Sequence, residues 1–421
     1  MSGIAAKAKK FLFSEESRSI VYMGCQMINM ALAFLINVVL TRYCANSEIY
    51  GQYKYATNFI LTAPTICGLG ITWSCAAIIA KDETENKNAI IAASVLWMSL
   101  ISVIATAGLY LGSIILPFVG VTALSGLQIV FPFLIGFMLQ GLVNCIYSGL
   151  GESYKLSLFS LVPNVVVMAG LGIMIWATGT LQYMPIILLY LFAHIVTCVP
   201  KLLRVKFDFS DLKKSSKTLF YDVKTSGFKV YISSMFTSSA TQIIALCCGS
   251  VFGYAEYGYY SLAASLSIIF QTIGSTMAVV NFRKYSNQER IPKKDFLFMI
   301  LLGAVAYVCM LLLIDKVFFW FYPQEYAPAI FYLKILCISC MLNGFAMLFN
   351  RFFISKGMGR KVMRNSIIVA ITNVVVSIPA IWLFQINGLM ISALVCGVVC
   401  LTAYCIDYYK WIKKTGDNSD Q

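Results

Sequence analysis

Apolar runs about as long as a bilayer is thick recur along this 421-residue chain. About 20 such residues cross the hydrocarbon as a helix. Only helices and closed barrels satisfy their own backbone there. The runs fall at 19–41, 57–80, 89–116, 121–146, 157–178, 183–203, 227–252, 258–281, 296–321, 328–353, 365–384 and 386–409. They predict an all-α polytopic membrane protein with twelve transmembrane helices. Composition agrees, with 59% hydrophobic and 12% charged residues, against about 25% charge in soluble domains. The first run is too long for a cleaved signal peptide, and no small-x-small site follows it, so it is expected to remain as a span.

One heptapeptide pattern occurs twice. Tyr50-Gly51-Gln52-Tyr53-Lys54-Tyr55-Ala56 and Tyr257-Gly258-Tyr259-Tyr260-Ser261-Leu262-Ala263 both read Y-G-x-Y-x-x-A, 207 residues apart. Gly149-Leu150-Gly151 and Asn164-Val165-Val166-Val167 recur as Gly357-Met358-Gly359 and Asn373-Val374-Val375-Val376 at nearly the same shift. An apolar chain duplicated in this way suggests a transporter built from two related halves.

Charge supplies an orientation. With the N-terminus in the cytoplasm, 28 of the 32 Lys and Arg residues fall inside and 4 outside, where Arg42 and Lys54 are counted in the first loop. That asymmetry is a positive-inside signal for N-in, C-in topology. It also removes the nucleic-acid reading that a net charge of +14 invites. The excess is topology, with some attraction to anionic lipid heads. The main hydrophilic segment, 204–226, is too short for a domain and reads as a cytoplasmic connector between halves 1–203 and 227–421. Each half holds six spans, so the halves are parallel repeats around a central cleft.

Soluble-enzyme chemistry is absent from the pattern. His194 is the single histidine of the chain, so every Ser-His or Cys-His scheme would have to pass through it. There is no phosphate-binding loop and no dinucleotide fingerprint. The 14 cysteines sit almost wholly in apolar runs and read as small buried hydrophobes. No catalytic residue, metal site or cofactor is expected.

Polar residues inside spans carry more information, because they cost free energy in lipid. At 100° per residue, Arg18, Tyr22, Gln26, Asn29 and Asn37 occupy one side of the first span within about 100°. On the eighth, Ser261, Ser265, Thr272, Ser275, Thr276 and Arg283 lie close to one line. The seventh contributes Ser233, Ser234, Thr237, Ser238, Ser239, Thr241 and Gln242. Ser and Thr also serve ordinary helix–helix hydrogen bonding. The alternative is a hydrated cleft lined by helices 1, 7 and 8. Acids are scarce at this depth, which favours an anionic substrate, with guanidinium suited to phosphate oxygens. Pro64, Gly68 and Gly70 interrupt the second span, Pro132 and Gly136 the fourth, and Pro163 the fifth.

Leu40-Thr41-Arg42-Tyr43 followed by Ser47-Glu48-Ile49-Tyr50-Gly51-Gln52-Tyr53 resembles the helix 1 to helix 2 junction of polysaccharide exporters. Phe252-Gly253-Tyr254-Ala255-Glu256-Tyr257-Gly258 is similar to the segment opening their helix 8. The motifs cover about 30 residues. Tyr43-Cys44-Ala45-Asn46 departs from the usual turn of the family. With its length and twelve spans, the chain resembles Wzx-type O-antigen flippases of the multidrug/oligosaccharidyl-lipid/polysaccharide (MOP) exporter superfamily.

That resemblance implies a flippase moving an undecaprenyl-diphosphate-linked oligosaccharide, such as an O-antigen repeat unit for lipopolysaccharide, across a bacterial inner membrane. Its partners would be the lipid-linked oligosaccharide, membrane lipids, a glycan polymerase and chain-length proteins. Arg42, at the family motif's arginine, is the first substrate-binding candidate. Arg18, Asn29, Asn37, Arg283, His194, Gln242 and Ser265 complete the set. Two alternatives stand beside this reading. A multidrug or cation exporter of the same superfamily would want a buried acid in the first span. A membrane polysaccharide polymerase would want a large outer loop.

Overall fold

The computed structural model describes residues 15–79, 86–115, 117, 125–150, 152–228, 231–232, 235, 240–280, 285, 288, 290–356 and 358–417. Among them the structure is helical, with one isolated bridge between Cys44 and Leu181. The helices are α1 (Glu15–Tyr43), α2 (Ser47–Cys67), α3 (Ile71–Ile79), α4 (Lys87–Ile115), α5 (Leu134–Gly149), α6 (Ser153–Thr178), α7 (Tyr183–Leu202) and α8 (Leu212–Asp222). They continue with α9 (Ala240–Phe252), α10 (Tyr254–Val280), α11 (Lys293–Phe321), α12 (Pro328–Ser355), α13 (Gly359–Phe384) and α14 (Asn387–Asp417).

Among the described residues, 8 helices are long and apolar enough to cross a membrane, or 9 if the bent pair α2 and α3 is one span. The chain is therefore a multi-pass membrane protein. The twelve expected spans are not all matched. Within 227–252 the long helical stretch is Ala240–Phe252, much of the rest lying outside the described residues. The expected 121–146 span begins as helix only after a 3-10 turn at Phe131–Phe133 that contains Pro132. A proline tolerates this place, at the first turn of a helix. Exposed side chains along α11, including Leu297, Leu301, Val305, Val308 and Leu312, are what a lipid-facing helix carries.

The chain divides into two compact units, one of residues 1–45 and 56–235, the other of residues 46–55 and 236–421. In the first, α1 packs along α6, α3 and α4 pack on α5, and α4 also on α8. Its core includes Val143, Tyr147, Phe159 and Cys198. The break between α2 and α3 turns the chain by 66°, with Leu69 at φ 46° and Gly70 at φ 83°. The expected interruption at Gly68 and Gly70 is thus a sharp bend, after which the helix resumes. Such a bend orphans carbonyls. That of Ile66 accepts the hydroxyl of Tyr231.

The 204–226 segment, expected to be a connector between the halves, contains α8. It is tied to the foot of α4 by Asp208, which accepts from Asn86 Nδ2 at 2.6 Å and from the hydroxyl and N–H of Ser210 at 2.6 and 2.9 Å. Hydrogen bonds from the Ser210 hydroxyl, Asn86 and the Ser210 backbone hold the Asp208 carboxyl down at about 2.

In the second unit, α10 packs along α12, and α14 packs against α12 and α13. The core there is aromatic, with Tyr285, Phe345, Phe349, Phe352, Phe353 and Tyr404.

Candidate functional site

In the second unit the two copies of the repeated motif meet. Tyr50 and Tyr257 each stand at the fourth residue of their helices, α2 and α10. Both rings are fully buried. Asn46 Oδ1 caps α2 by accepting the N–H of Ile49 at 3.0 Å, so the departure at Tyr43-Cys44-Ala45-Asn46 supplies an ordinary N-cap. A Cβ placed on Gly51 would lie 1.7 Å from the Tyr254 carbonyl oxygen, and one on Gly258 would lie 3.1 Å from Gly51 Cα. The glycines let the two backbones touch, as small residues do where membrane helices cross.

Aromatic rings close around that crossing. Tyr50 and Tyr259 each meet Tyr326 edge-on, at 5.6 and 5.7 Å, and Tyr55 meets Tyr254 and Tyr257 at 5.4 and 5.6 Å. Polar tips interlock at the same end. The Tyr259 hydroxyl donates to Ser47 Oγ at 3.1 Å, Ser47 N–H donates to Glu325 Oε1 at 2.8 Å, and the Tyr332 hydroxyl donates to Glu256 at 2.9 Å.

Lys54 lies within this assembly. Its Nζ donates to Ser265 Oγ at 3.4 Å and stands 5.7 Å from the centre of the Tyr50 ring. The expectation that placed Lys54 in an outer loop is corrected: α2 begins at Ser47, ten residues before the expected span, and carries Lys54 in its interior. The spacing of Tyr50 and Lys54, four residues apart and so on one helix face, was the signal available for it.

Of the predicted residues, Ser265 is therefore joined to a cation. Its own hydroxyl also donates to the Ser261 carbonyl at 2.7 Å. Thr272 and Ser275, on the same stripe, likewise bond back to carbonyls of α10, which is the ordinary structural use of a hydroxyl in a helix. Gln242 is exposed on α9. Arg283 lies outside the described residues.

In the first unit, Asn29 is half-buried and its Oδ1 accepts from Asn164 Nδ2 at 2.6 Å. This bond joins α1 to α6. Asn37 is buried, and its carbonyl accepts the Thr41 hydroxyl at 2.9 Å. Arg42 is exposed at the end of α1, where Leu181 N–H anchors the chain to the Tyr43 carbonyl at 2.8 Å. Arg18 lies on α1, and its side chain is outside what is described. His194 does not join the polar stripe. Its Nδ1 lies 3.0 Å from Gln140 Oε1, and its ring is flanked by Phe137 and Tyr190 at 4.9 and 4.5 Å. That is a satisfied histidine bridging α5 and α7.

The crossing of the two motif helices thus holds Lys54 in one assembly with Glu256 and Glu325. The sequence pattern of the family described as "polysaccharide biosynthesis protein" matches residues 17–282. The chain belongs to that family. No curated protein matches it by sequence similarity. Among solved structures, the lipid II flippase MurJ in an inward closed conformation is similar with a TM-score of 0.72 at 13% identity, over 92% of this chain and 87% of that one. An inward-facing multidrug resistance MATE family transporter of the MOP superfamily is similar with a TM-score of 0.68 at 14% identity, over 96% and 99%. An outward-facing conformation of such a transporter gives 0.63 at 15%, over 96% and 97%. The fold is the one shared with that lipid II flippase and with those MATE transporters.

Proposed function

We propose that this polysaccharide biosynthesis protein is a flippase for an undecaprenyl-diphosphate-linked oligosaccharide, moving it from the cytoplasmic to the periplasmic leaflet of a bacterial inner membrane by alternating access. The observation that carries the reading is Lys54, a cation held inside a helix crossing and hydrogen-bonded to Ser265. An ammonium there suits a diphosphate. Arg42, Asn29 and Asn37 of α1, in the other unit, are candidates proposed from the sequence alone.

The two-half organisation, 1–203 and 227–421 joined by 204–226, is part of the proposal, as is N-in, C-in topology with twelve spans. Trp176, Trp320 and Trp382 suit helix ends at a membrane interface, on either side. All three are well exposed and lie within the last turn of α6, α11 and α13. The proposed topology brings each of these helix ends to the outer interface, where tryptophan is favoured.

The test is export in cells. Loss of the chain should leave lipid-linked repeat units on the cytoplasmic leaflet, and Lys54→Ala at equal protein level should do the same. Intact glycan export without the chain, coupled to lost efflux of cationic dyes, would replace the flippase with the multidrug exporter. Failure to lengthen a glycan that has already crossed would point to the polymerase.

A further inference from the structure

The connector helix α8 has two unlike faces. Ser215 and Leu219 are buried, while Lys213, Lys214 and Lys217 are exposed. It is fixed to α4 by Trp97, whose Nε1–H donates to Ser216 Oγ at 3.1 Å and whose ring meets Phe220 edge-on at 4.8 Å. An open groove of about 550 Å³ runs between the two helices. Its floor is Ala93, Leu96, Trp97 and Phe220, and Lys213 and Lys217 stand on it from α8.

Three properties of the groove select its occupant. The floor is apolar and continues into the exposed row Leu96, Leu100, Val103 and Ile104 of α4, a surface for hydrocarbon. The two lysines are four residues apart on one helix face, a like-charge spacing that disfavours the helix unless an anion lies between them. Neither is ion-paired among the described residues. Trp97 lies ten residues beyond Lys87, the first residue of α4, or about 15 Å along the axis. The long stems of Lys213 and Lys217 can carry their ammonium groups from beside that apolar floor toward the headgroups.

We propose that this groove binds one anionic glycerophospholipid, its phosphate between Lys213 and Lys217 and an acyl chain along Leu96 and Trp97. The site is separate from the Lys54 crossing and does not depend on what the protein transports. A soluble phosphate would leave the apolar floor uncovered. A zwitterionic head would bring its own cation against the two lysines.

The experiment is native mass spectrometry of the full chain in detergent, titrated with phosphatidylglycerol or phosphatidylethanolamine of identical acyl chains. The wild type should hold phosphatidylglycerol in preference. Lys213→Gln with Lys217→Gln should weaken phosphatidylglycerol by roughly tenfold or more and leave phosphatidylethanolamine unchanged, while Lys213→Arg with Lys217→Arg should keep it. Lys214→Gln with Lys224→Gln removes equal charge from the same segment away from the groove and should have little effect. Equal retention of the two lipids by the wild type would overturn the proposal. So would an unchanged phosphatidylglycerol affinity in Lys213→Gln/Lys217→Gln, or an equal loss in Lys214→Gln/Lys224→Gln. Preferential retention of undecaprenyl diphosphate at these lysines in a mixture would overturn the assignment to a phospholipid.

Discussion

The crossing of α2 and α10 makes unequal demands on the two glycines of the repeated motif. A methyl group on Gly51 would point at the Tyr254 carbonyl oxygen from 1.7 Å, whereas real Cβ contacts stay at or beyond 3.0 Å. The helices would have to part by about 1.3 Å, and the obstacle is backbone, which no rotamer change removes. That separation loosens the Tyr50 ring, which is wholly buried against Tyr326 at 5.6 Å, and the Tyr55–Tyr257 pair. The same methyl on Gly258 would meet Gly51 Cα at 3.1 Å, Gly51 N at 3.2 Å and the Ser47 carbonyl at 3.4 Å, which small shifts relieve. Overpacking costs about 1–3 kcal/mol. Gly51→Ala belongs at or above about 3 kcal/mol, and Gly258→Ala near about 1 kcal/mol.

The assay is the midpoint of thermal unfolding for purified protein in one detergent, read by tryptophan fluorescence and by the surviving monodisperse fraction at a fixed heating rate. Gly51→Ala should fall several degrees below wild type, and Gly258→Ala should lie between them. Equal midpoints, or a Gly258→Ala variant less stable than Gly51→Ala, would refute the backbone contact as the reason for glycine in the motif.

Arg42→Ala should reduce lipid-linked glycan export at equal protein level while Arg42→Lys retains it if charge alone acts; export unchanged by Arg42→Ala makes Arg42 an interfacial anchor. A double-mutant cycle on Asn29→Ala and Asn164→Ala should give a coupling of about 0.6 to 1.7 kcal/mol, the range for hydrogen bonds between membrane helices, and additive single losses would show that the 2.6 Å bond contributes nothing. The Asp208 carboxyl is held at about 2, below its unfolded value of about 3.9, so its tie to Asn86 should be whole above about pH 4 and lost as pH falls through about 2. Hydrogen exchange in the 206–211 loop of Asp208→Asn at neutral pH should be faster than wild type, and equal rates would deny the tie. Reporter fusions at residues 215 and 416 should score cytoplasmic and those at 180 and 323 periplasmic, and the opposite score at 215 or 416 would end the two-half topology.

The membrane class and the helical fold were legible because lipid leaves the backbone few solutions and because apolar run length is a direct measure of span. Helix ends were less legible. Tyr50, Tyr53 and Lys54 look like loop residues on hydropathy, yet they open α2, since an Asn46 cap and buried tyrosines extend a helix that polarity counting truncates. The same cause hid α8, whose lysines mask a buried Ser215 and Leu219. The polar stripes divided. Asn29 found a partner on another helix, whereas Thr272 and Ser275 turned back to their own backbone, and periodicity cannot separate these two uses of a polar side chain. His194 attracted interest by being unique, but uniqueness carries no geometry, and its ring serves as packing between Phe137 and Tyr190.

The fold cannot choose between a flippase and a multidrug exporter, because the structural neighbours include a lipid II flippase and a multidrug resistance transporter. The sign of the charge at Lys54 can. A substrate group that reached Ser265 would come within a few ångströms of the ammonium that donates to Ser265 Oγ at 3.4 Å. Two unit charges 4 Å apart at an effective permittivity of 20 interact by about 4 kcal/mol. For a cationic drug that energy opposes binding, and for one phosphate charge it favours binding by a similar amount before desolvation is charged against it. Lys54→Glu reverses the sign without removing the ionisable group, and Lys54→Met keeps the stem without the charge. A glycan exporter should lose export in both variants and more severely with glutamate. A cation exporter should gain from Met and gain further from Glu. Export that tracks neither substitution would make Lys54 a structural cation held by Tyr50 and Ser265, and the anionic-substrate argument would then rest on Arg42 alone.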